Sequence, residues 1–132
     1  MQISQKIKND RQDNLLEELL REKAAVLSRA GMAVDEVIKQ LICIDREIEE
    51  KKSLLNFLDG DNRSSEVSQY KKLICEEINI SIDKFNAAHQ KAKLQYYYLI
   101  VTREALGLRR HEMIQEIYRI PDKKKKYGHI NG

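Results

Sequence analysis

The residues best suited to proton transfer or metal binding are histidines and carboxylates in the second half of the chain. His89 has no carboxylate or nucleophilic side chain beside it in sequence. His111 is followed by Glu112 and flanked at a distance by Glu104 and Glu116. A di-iron site in a helical bundle needs a Glu-x-x-His pattern on each of two helices, and the sequence contains no such pattern. We therefore predict no metal site, no cofactor and no catalytic residue.

Nucleophiles and phosphate-binding loops do not indicate a reaction either. Cys43 and Cys75 are the two cysteines, and neither belongs to a Cys-x-x-Cys motif, so we interpret both as small, buried or half-buried hydrophobic side chains. The sequence has no glycine-rich phosphate loop, no Gly-x-Ser-x-Gly and no His-Glu-x-x-His, the motifs of nucleotide binding, serine hydrolysis and zinc proteolysis. We predict that the protein is not an enzyme.

Three consecutive tyrosines indicate binding instead of catalysis. Tyr96, Tyr97 and Tyr98 open an apolar run that reaches Val101. Three consecutive helical residues cover about 200° of the helix surface, so they cannot all face one core, and Tyr96 is the best placed to do so. Tyrosine is favoured at interfaces because it combines a large apolar body with a hydroxyl group. We predict that these four residues form a partner interface.

The net charge of +3 is concentrated at the C-terminal end of the chain. Residues 103–132 carry eight basic and four acidic side chains, whereas residues 1–58 carry ten and eleven, and residues 59–102 carry six of each. A flexible basic segment attracts phosphates or acidic protein surfaces; a solubilising role is the alternative. The candidate basic patch consists of Arg103, Arg109, Arg110, Arg119, Lys123, Lys124, Lys125 and Lys126.

A heptad repeat predicts the first of the elements that position these side chains. Apolar residues recur every seven positions at Leu20, Leu27, Val34, Leu41, Ile48 and Leu55. A second row lies at the complementary spacing and comprises Leu16, Lys23, Ala30, Val37, Ile44, Lys51 and Leu58. Together the two rows form an a/d seam of about six heptads, which is typical of a coiled coil. Because the phase does not change at Gly31, we predict one helix from about residue 5 to residue 58.

The remaining elements follow from a second apolar stripe and from turn-forming residues. A stripe with a period of about 3.6 residues predicts a second helix over roughly residues 66–106. Asp, Gly, Asn and Ser between residues 59 and 65 predict the turn that joins the helices. Gly107 permits a bend before a short helix over residues 109–119, which Pro121 ends. No apolar periodicity follows this proline, so we expect residues 121–132 to form a flexible basic tail.

The predicted fold is therefore all-α, an antiparallel helical hairpin or coiled coil with two long helices and a short C-terminal helix. Residues 1–120 form one domain, and residues 121–132 form the separate tail. The first helix is also apolar beside its seam, at Leu19, Val26, Ala33, Leu54, Ala24 and Ile38. So wide an apolar face is typical of a helix with two neighbours. We expect a homodimer, with two hairpins forming a four-helix bundle.

These patterns favour a non-enzymatic interaction module, such as an assembly adaptor, a small chaperone or a regulator, that presents helical faces to a protein partner. The first alternative is an accessory binder of nucleic acid or another anionic surface through the basic C-terminal end. The second alternative is a self-assembling structural spacer. No apolar run approaches the roughly 18–20 residues that span a bilayer, and the N-terminus lacks the core of a signal peptide. We expect a cytoplasmic protein.

Overall fold

The protein is described by a computed structural model that covers residues 2–60 and 65–128. Within these residues the chain forms α1 (Gln2–Leu58), α2 (Ser65–Ala105) and α3 (Glu112–Ile117), and no described residue belongs to a strand. The two long helices pack against each other as a hairpin, so the predicted all-α hairpin is confirmed. Most of the predicted turn, residues 61–64, lies outside the described residues.

The continuity of α1 across Gly31 follows the phase of its heptads. Glycine in a helix interior costs about 1 kcal/mol relative to alanine, but the seam on its C-terminal side includes the fully buried residues Val34, Leu41 and Ile48. Helical stability in proteins comes mainly from packing of an apolar face rather than from intrinsic propensity. One continuous helix of 57 residues results, about 85 Å long at 1.5 Å per residue.

The core lies along the second half of the α1 seam. Buried seam residues of α1 are Val34, Val37, Leu41, Ile48 and Leu55. The buried apolar residues of α2 are Ile74, Ile78, Ile82, Phe85, Ala92 and Leu99. Fully burying one Leu, Ile or Phe side chain stabilises a fold by about 1.5–3 kcal/mol. This stabilisation is available only where another part of the chain covers the seam.

The first half of α1 is not buried in the hairpin. Between Gln2 and Ala30, all of which the structure describes, every residue is exposed or half-buried. The seam continues here in phase, yet Leu16 and Leu20 are each 57% exposed. Since α1 has 57 residues and α2 has 41, α2 is too short to cover the whole of this part of the seam.

The end of α2 is a glycine-capped turn. The Leu108 N–H donates to the carbonyl of Arg103, and the Gly107 N–H donates to the carbonyl of Glu104, which is the hydrogen-bond pattern of a Schellman motif. Gly107 has a φ of +90°, a conformation that costs glycine little because it has no Cβ. The bend expected at Gly107 is present, and it turns the chain back toward the hairpin.

The C-terminal segment differs from the expectation of a flexible tail. The third helix is shorter than predicted, covering Glu112–Ile117 rather than 109–119. Beyond it, Ile120 and Tyr127 pack against the hydrophobic core, and hydrogen bonds tie this segment to α2. The expected tail is therefore wrong for residues 121–127. Residues 129–132 lie outside the described part of the chain.

Gly31 also marks a close approach between α1 and the C-terminal segment. A Cβ at this position would lie 2.7 Å from Oη of Tyr118, and the next atom of that ring is 3.7 Å away. We expect Gly31→Ala alone to change stability little, because the gain of about 1 kcal/mol in helix propensity is offset by displacement of the hydroxyl. In a Tyr118→Phe background the same change should stabilise by about 1 kcal/mol.

Urea unfolding of the four proteins in this double-mutant cycle measures the effect. Tyr118→Phe alone is the matched control for loss of the hydroxyl. Additive effects of the two substitutions would show that Tyr118 does not contact Gly31 in solution.

Candidate interaction surfaces

The first candidate surface is an apolar stripe on the uncovered half of α1. We call it the α1 apolar face; it consists of Leu15, Leu16, Leu19, Leu20, Val26 and Leu27. At 100° per residue these six side chains fall within about 140° of the helix circumference. Leu15 is 65% exposed and Leu19 is 47% exposed. The α1 apolar face is thus open and continuous with the buried seam.

Charges around this face are nearly balanced. Residues 2–30 carry six basic and five acidic side chains. The one ion pair formed among these described residues joins Arg21 Nη2 to Glu17 Oε2 at 3.9 Å, and both side chains are well exposed. Pairs of this kind contribute about 0.3–0.5 kcal/mol on a helix surface. The charges around the face therefore neither strongly repel nor strongly attract a charged partner. Binding at this face depends mainly on burial of its apolar side chains.

The second candidate surface is the tyrosine cluster near the end of α2. Tyr97, Tyr98 and Val101 are 61%, 49% and 43% exposed. The ring centroids of Tyr97 and Tyr98 are 6.1 Å apart, with the ring planes inclined by 55°, a favourable arrangement for an aromatic pair. Tyr96 is half-buried and lines a cavity beside Ile120. The four predicted interface residues thus divide into three that face outward and one that faces the C-terminal segment.

The third candidate surface is the groove between α1 and α2. Residues 118–127, which we call the C-terminal strap, run along it. Asn79 Nδ2 donates to the carbonyl oxygen of Tyr127 (3.2 Å), and the Tyr127 N–H donates to Asn79 Oδ1 (2.7 Å). Asn86 makes the same two bonds with the main chain of Lys124, both 2.9 Å long. Two asparagines of α2 thus hold the backbone of the strap.

Side chains of the strap contact both helices. Lys124 forms an ion pair with Asp45 of α1, and its Nζ lies 4.8 Å from the ring centroid of Phe85 in α2. Lys126 Nζ lies 2.9 Å from a carboxylate oxygen of Asp83. Cation–π contacts contribute about 0.5–2 kcal/mol, depending on exposure. Two of the four consecutive lysines therefore serve the attachment of the strap.

The eight residues of the predicted basic patch have different local roles. Arg103 Nη2 donates to the carbonyl oxygen of Arg110 (2.8 Å), and its Nε donates to Nδ1 of His111 (3.3 Å). His111 Nε2 in turn lies 3.2 Å from Glu104 Oε1. Arg103 therefore organises the connection between α2 and α3. The exposed members of the patch are Arg109, Arg110, Arg119, Lys123, Lys125 and Lys126, and Lys126 is paired with an acidic side chain as described above.

His89 is buried in the hairpin. It is 8% exposed, and its Nδ1 has no hydrogen-bond partner among the described residues. It lines an open cavity together with Lys93, Tyr96, Ile120 and Asp122. A buried polar atom without a partner costs about 1–3 kcal/mol. The cavity at one end of the strap therefore has a hydrogen-bonding atom in its lining residue His89 that the described residues leave without a partner.

The cysteines are free thiols in different surroundings. Cys75 is half-buried, as expected, whereas Cys43 is exposed rather than buried. Burial raises the pKa of the Cys75 thiol, and the nearby negative charge of Asp59 acts in the same direction. Because the thiolate is the reactive form, the raised pKa makes Cys75 a poor nucleophile. Sequence patterns alone gave no means of distinguishing the two environments.

Several functional candidates were not apparent in the sequence. Asn79, Asn86, Asp45 and Asp83 contact the strap, and the only signal for them is the seven-residue spacing of the two asparagines along α2. An asparagine side chain that binds an extended backbone leaves no hydrophobic periodicity. Their contacts with the strap can be recognised only in the three-dimensional structure.

The chemistry available on these surfaces is apolar burial, main-chain hydrogen bonding and ion pairing. Within residues 2–60 and 65–128, no three His, Cys, Asp or Glu side chains are grouped closely enough to hold a metal ion. No helix in the same ranges is both long and apolar enough to cross a membrane. No protein-family model, curated protein or solved structure matches the chain.

Proposed function

We propose that the protein is a non-enzymatic protein–protein interaction module, such as an assembly adaptor, a small chaperone or a regulator, that presents helical faces to a partner. The observation that supports this proposal is the open half of the α1 seam. Leu41 and Ile48 are fully buried by the hairpin, whereas Leu20, three heptads before Leu41 on the same seam, is 57% exposed. The same heptad seam is thus buried in the hairpin core in one half of α1 and exposed in the other half.

The energetics of a solitary helix support a partner at this place. An isolated helix in water is marginally stable unless an apolar face is packed against something. Residues 2–30 of α1 form about eight helical turns without any buried residue. Monomeric proteins rarely leave large contiguous apolar patches in water. A partner that covers the α1 apolar face removes both difficulties at once.

A second copy of the chain is the partner that best fits this face. The face continues the coiled-coil seam in register, so a helix with the same seam has complementary spacing. Its nearly balanced charge does not repel a second copy. Two copies related by a twofold axis would bury the same residues from both sides, which is the simplest closed assembly. Tyr97, Tyr98 and Val101 then remain available as a contact for a different protein.

The two alternatives rank lower. A self-assembling spacer would have the same dimer but no further partner, and it gives the exposed tyrosines no role. A binder of nucleic acid or another anionic surface has fewer free charges than the sequence suggested, because Lys124 and Lys126 are paired with Asp45 and Asp83. The cytoplasmic location belongs to the same proposal and rests on the sequence argument given above.

Leu20→Asp tests the α1 apolar face. We expect the wild-type chain to dimerise and the variant to be monomeric at the same concentration. Each leucine buried at an interface contributes about 1.5–3 kcal/mol, and a symmetric dimer contains the substitution twice. The dissociation constant should therefore rise by about 100-fold or more, at 1.4 kcal/mol for each factor of ten. Sedimentation equilibrium over a concentration series measures it.

Met32→Asp is the matched control. Met32 is 67% exposed, and its position in the heptad is opposite to the seam. This variant should dimerise like the wild type. A wild-type chain that stays monomeric at high concentration would remove the second copy as partner, and equal dissociation constants for Leu20→Asp and Met32→Asp would remove the α1 apolar face as the contact.

A further inference from the structure

The C-terminal strap lies lengthwise in the groove between α1 and α2. Its contacts with α1 proceed from Gly31 through Asp45 to Lys52 while the strap advances from Tyr118 to Tyr127. The 21 helical steps from Gly31 to Lys52 correspond to about 31 Å. The nine extended steps from Tyr118 to Tyr127 correspond to about 30 Å. The strap thus runs parallel to α1 and uses nearly its whole contour length in the groove.

The two asparagines of α2 match this extended backbone. Asn79 and Asn86 are seven helical residues apart, or about 10.5 Å. Lys124 and Tyr127, whose main-chain groups they bind, are three extended residues apart, or about 10 Å. Each amide satisfies both the N–H and the carbonyl of one residue, as a neighbouring β-strand would. This recognition is directed at the main chain and does not depend on the identity of the bound residue.

Selectivity in the groove comes from a few side-chain positions. Asp45 and Asp83 face Lys124 and Lys126, which favours lysine at these two places. Tyr127 packs against the core, and Lys52 Nζ lies 5.1 Å from its ring centroid. An extended segment with two lysines and a following aromatic residue therefore meets all three positions.

The strap of this chain leaves one end of the groove incomplete. The cavity beside Ile120 is lined by His89, Lys93 and Tyr96. His89 is more than nine-tenths buried, and among the described residues its Nδ1 has no hydrogen-bond partner. A segment with a longer, polar side chain in place of Ile120 has room there and a group to bond. The groove is thus better suited to a segment that differs from the strap at this point.

We infer that the groove between α1 and α2 is a binding site for an extended, lysine-containing peptide segment of a protein partner, and that the C-terminal strap occupies this site in the free chain. The bend at Gly107 and the exposed residues after it connect the strap to α2, so the strap can leave without unpairing the helices. The inference goes beyond the proposed function, because the groove and the α1 apolar face are different surfaces and each can fail its test alone.

The test uses the full chain with its own strap weakened by Lys124→Glu and Tyr127→Ala, which remove the ion pair with Asp45 and the packing of Tyr127 against the core. The probe is a fluorescein-labelled peptide of residues 116–128, and fluorescence anisotropy measures its binding. We expect the strap-weakened chain to bind the peptide at least ten times more tightly than the wild type. In the wild-type chain the strap competes for the groove intramolecularly, at a high effective concentration.

Two comparisons establish that binding occurs in the groove. Adding Asn79→Leu and Asn86→Leu to the strap-weakened chain should reduce peptide affinity at least tenfold, whereas Asn56→Leu, an exposed position on α1, should not change it. A peptide with Lys124→Glu and Lys126→Glu should also bind at least ten times more weakly. Peptide binding that ignores the asparagine substitutions would overturn the inference.

A second measurement does not depend on how well the weakened chain folds. A site for a sequence-specific protease is inserted after Gly107 in an otherwise wild-type chain, which is then cleaved. The C-terminal fragment should co-elute with the hairpin in size-exclusion chromatography, and excess labelled peptide should displace it. Immediate loss of the fragment from a hairpin that remains helical would overturn the inference. Failure of excess peptide to displace the fragment would show that the strap does not vacate the groove, and it would overturn a partner segment as the occupant.

Discussion

Replacing Leu41 by Asp is expected to unfold the hairpin, whereas the same substitution at Leu20 leaves it folded. Leu41 is fully buried within the core cluster. The substitution removes about 1.5–3 kcal/mol of apolar burial, and it places a charged or newly protonated carboxyl group in an apolar site, at a cost of several kcal/mol more. The total approaches the free energy of unfolding of a typical domain, about 5–15 kcal/mol.

Leu20 is the matched control because it lies on the same seam as Leu41 but is exposed to solvent instead of buried. At 57% exposure the Asp carboxylate remains in water, so we expect a change of about 0.5 kcal/mol or less in the unfolding free energy of the monomer. Urea unfolding followed by circular dichroism, at a concentration below that of dimer formation, measures both variants. Equal destabilisation by the two substitutions would mean that the open half of the seam is covered within the single chain.

The helices were the most predictable part of the fold because their signal is local and repeated. Six consecutive apolar a positions, from Leu20 to Leu55, fix both the helix and its phase, and this phase decided correctly that Gly31 lies inside α1. The buried face of α2, from Ile74 to Leu99, was predictable for the same reason. Helix ends were placed within a few residues, since capping residues such as Gly107 mark them.

The extent to which each surface is covered was less predictable. A heptad seam shows that one face of a helix packs against a partner. It does not show which of its positions, for example Leu20 or Leu41, are buried in the hairpin. The wide apolar face of α1 predicted a second neighbour. Part of this neighbour is the chain's own strap, through Ile120 and Tyr127.

The strap itself escaped prediction because its attachment is not periodic. A segment that contains Pro121 and four consecutive lysines has the composition of a flexible tail. Its fixed position depends on side chains far away in sequence, since Asn79 and Tyr127 are 48 residues apart. Long-range contacts of this kind between a polar side chain and a main chain are visible only in three dimensions. The sequence likewise could not show which lysines form ion pairs. Lys124 pairs with Asp45 and Lys123 is exposed, yet the two are adjacent members of the same lysine run.

Deletion of residues 121–132 is expected to destabilise the protein, in contrast to the behaviour of a solubilising tail. The deletion removes the four hydrogen bonds between the strap and the asparagines of α2, each worth about 0.5–1.5 kcal/mol. It also removes the apolar contacts of Tyr127 and the ion pair between Lys124 and Asp45. Renewed solvation of the half-buried amides of Asn79 and Asn86 offsets part of the loss. We expect a net decrease of about 2–4 kcal/mol, or about 10 °C in Tm for a domain of this size.

Two full-length variants separate attachment of the strap from its charge. Lys123→Ala with Lys125→Ala removes two exposed charges and should leave Tm unchanged, whereas Asn79→Leu with Asn86→Leu should reproduce much of the effect of the deletion. Thermal unfolding followed by circular dichroism measures all three proteins. Loss of the same stability in the Lys123/Lys125 variant would attribute the effect to net charge. A deletion that leaves Tm unchanged would show that the strap is detached from the groove in solution, because the contacts of Lys124 and Tyr127 with the hairpin must contribute to stability wherever they are formed.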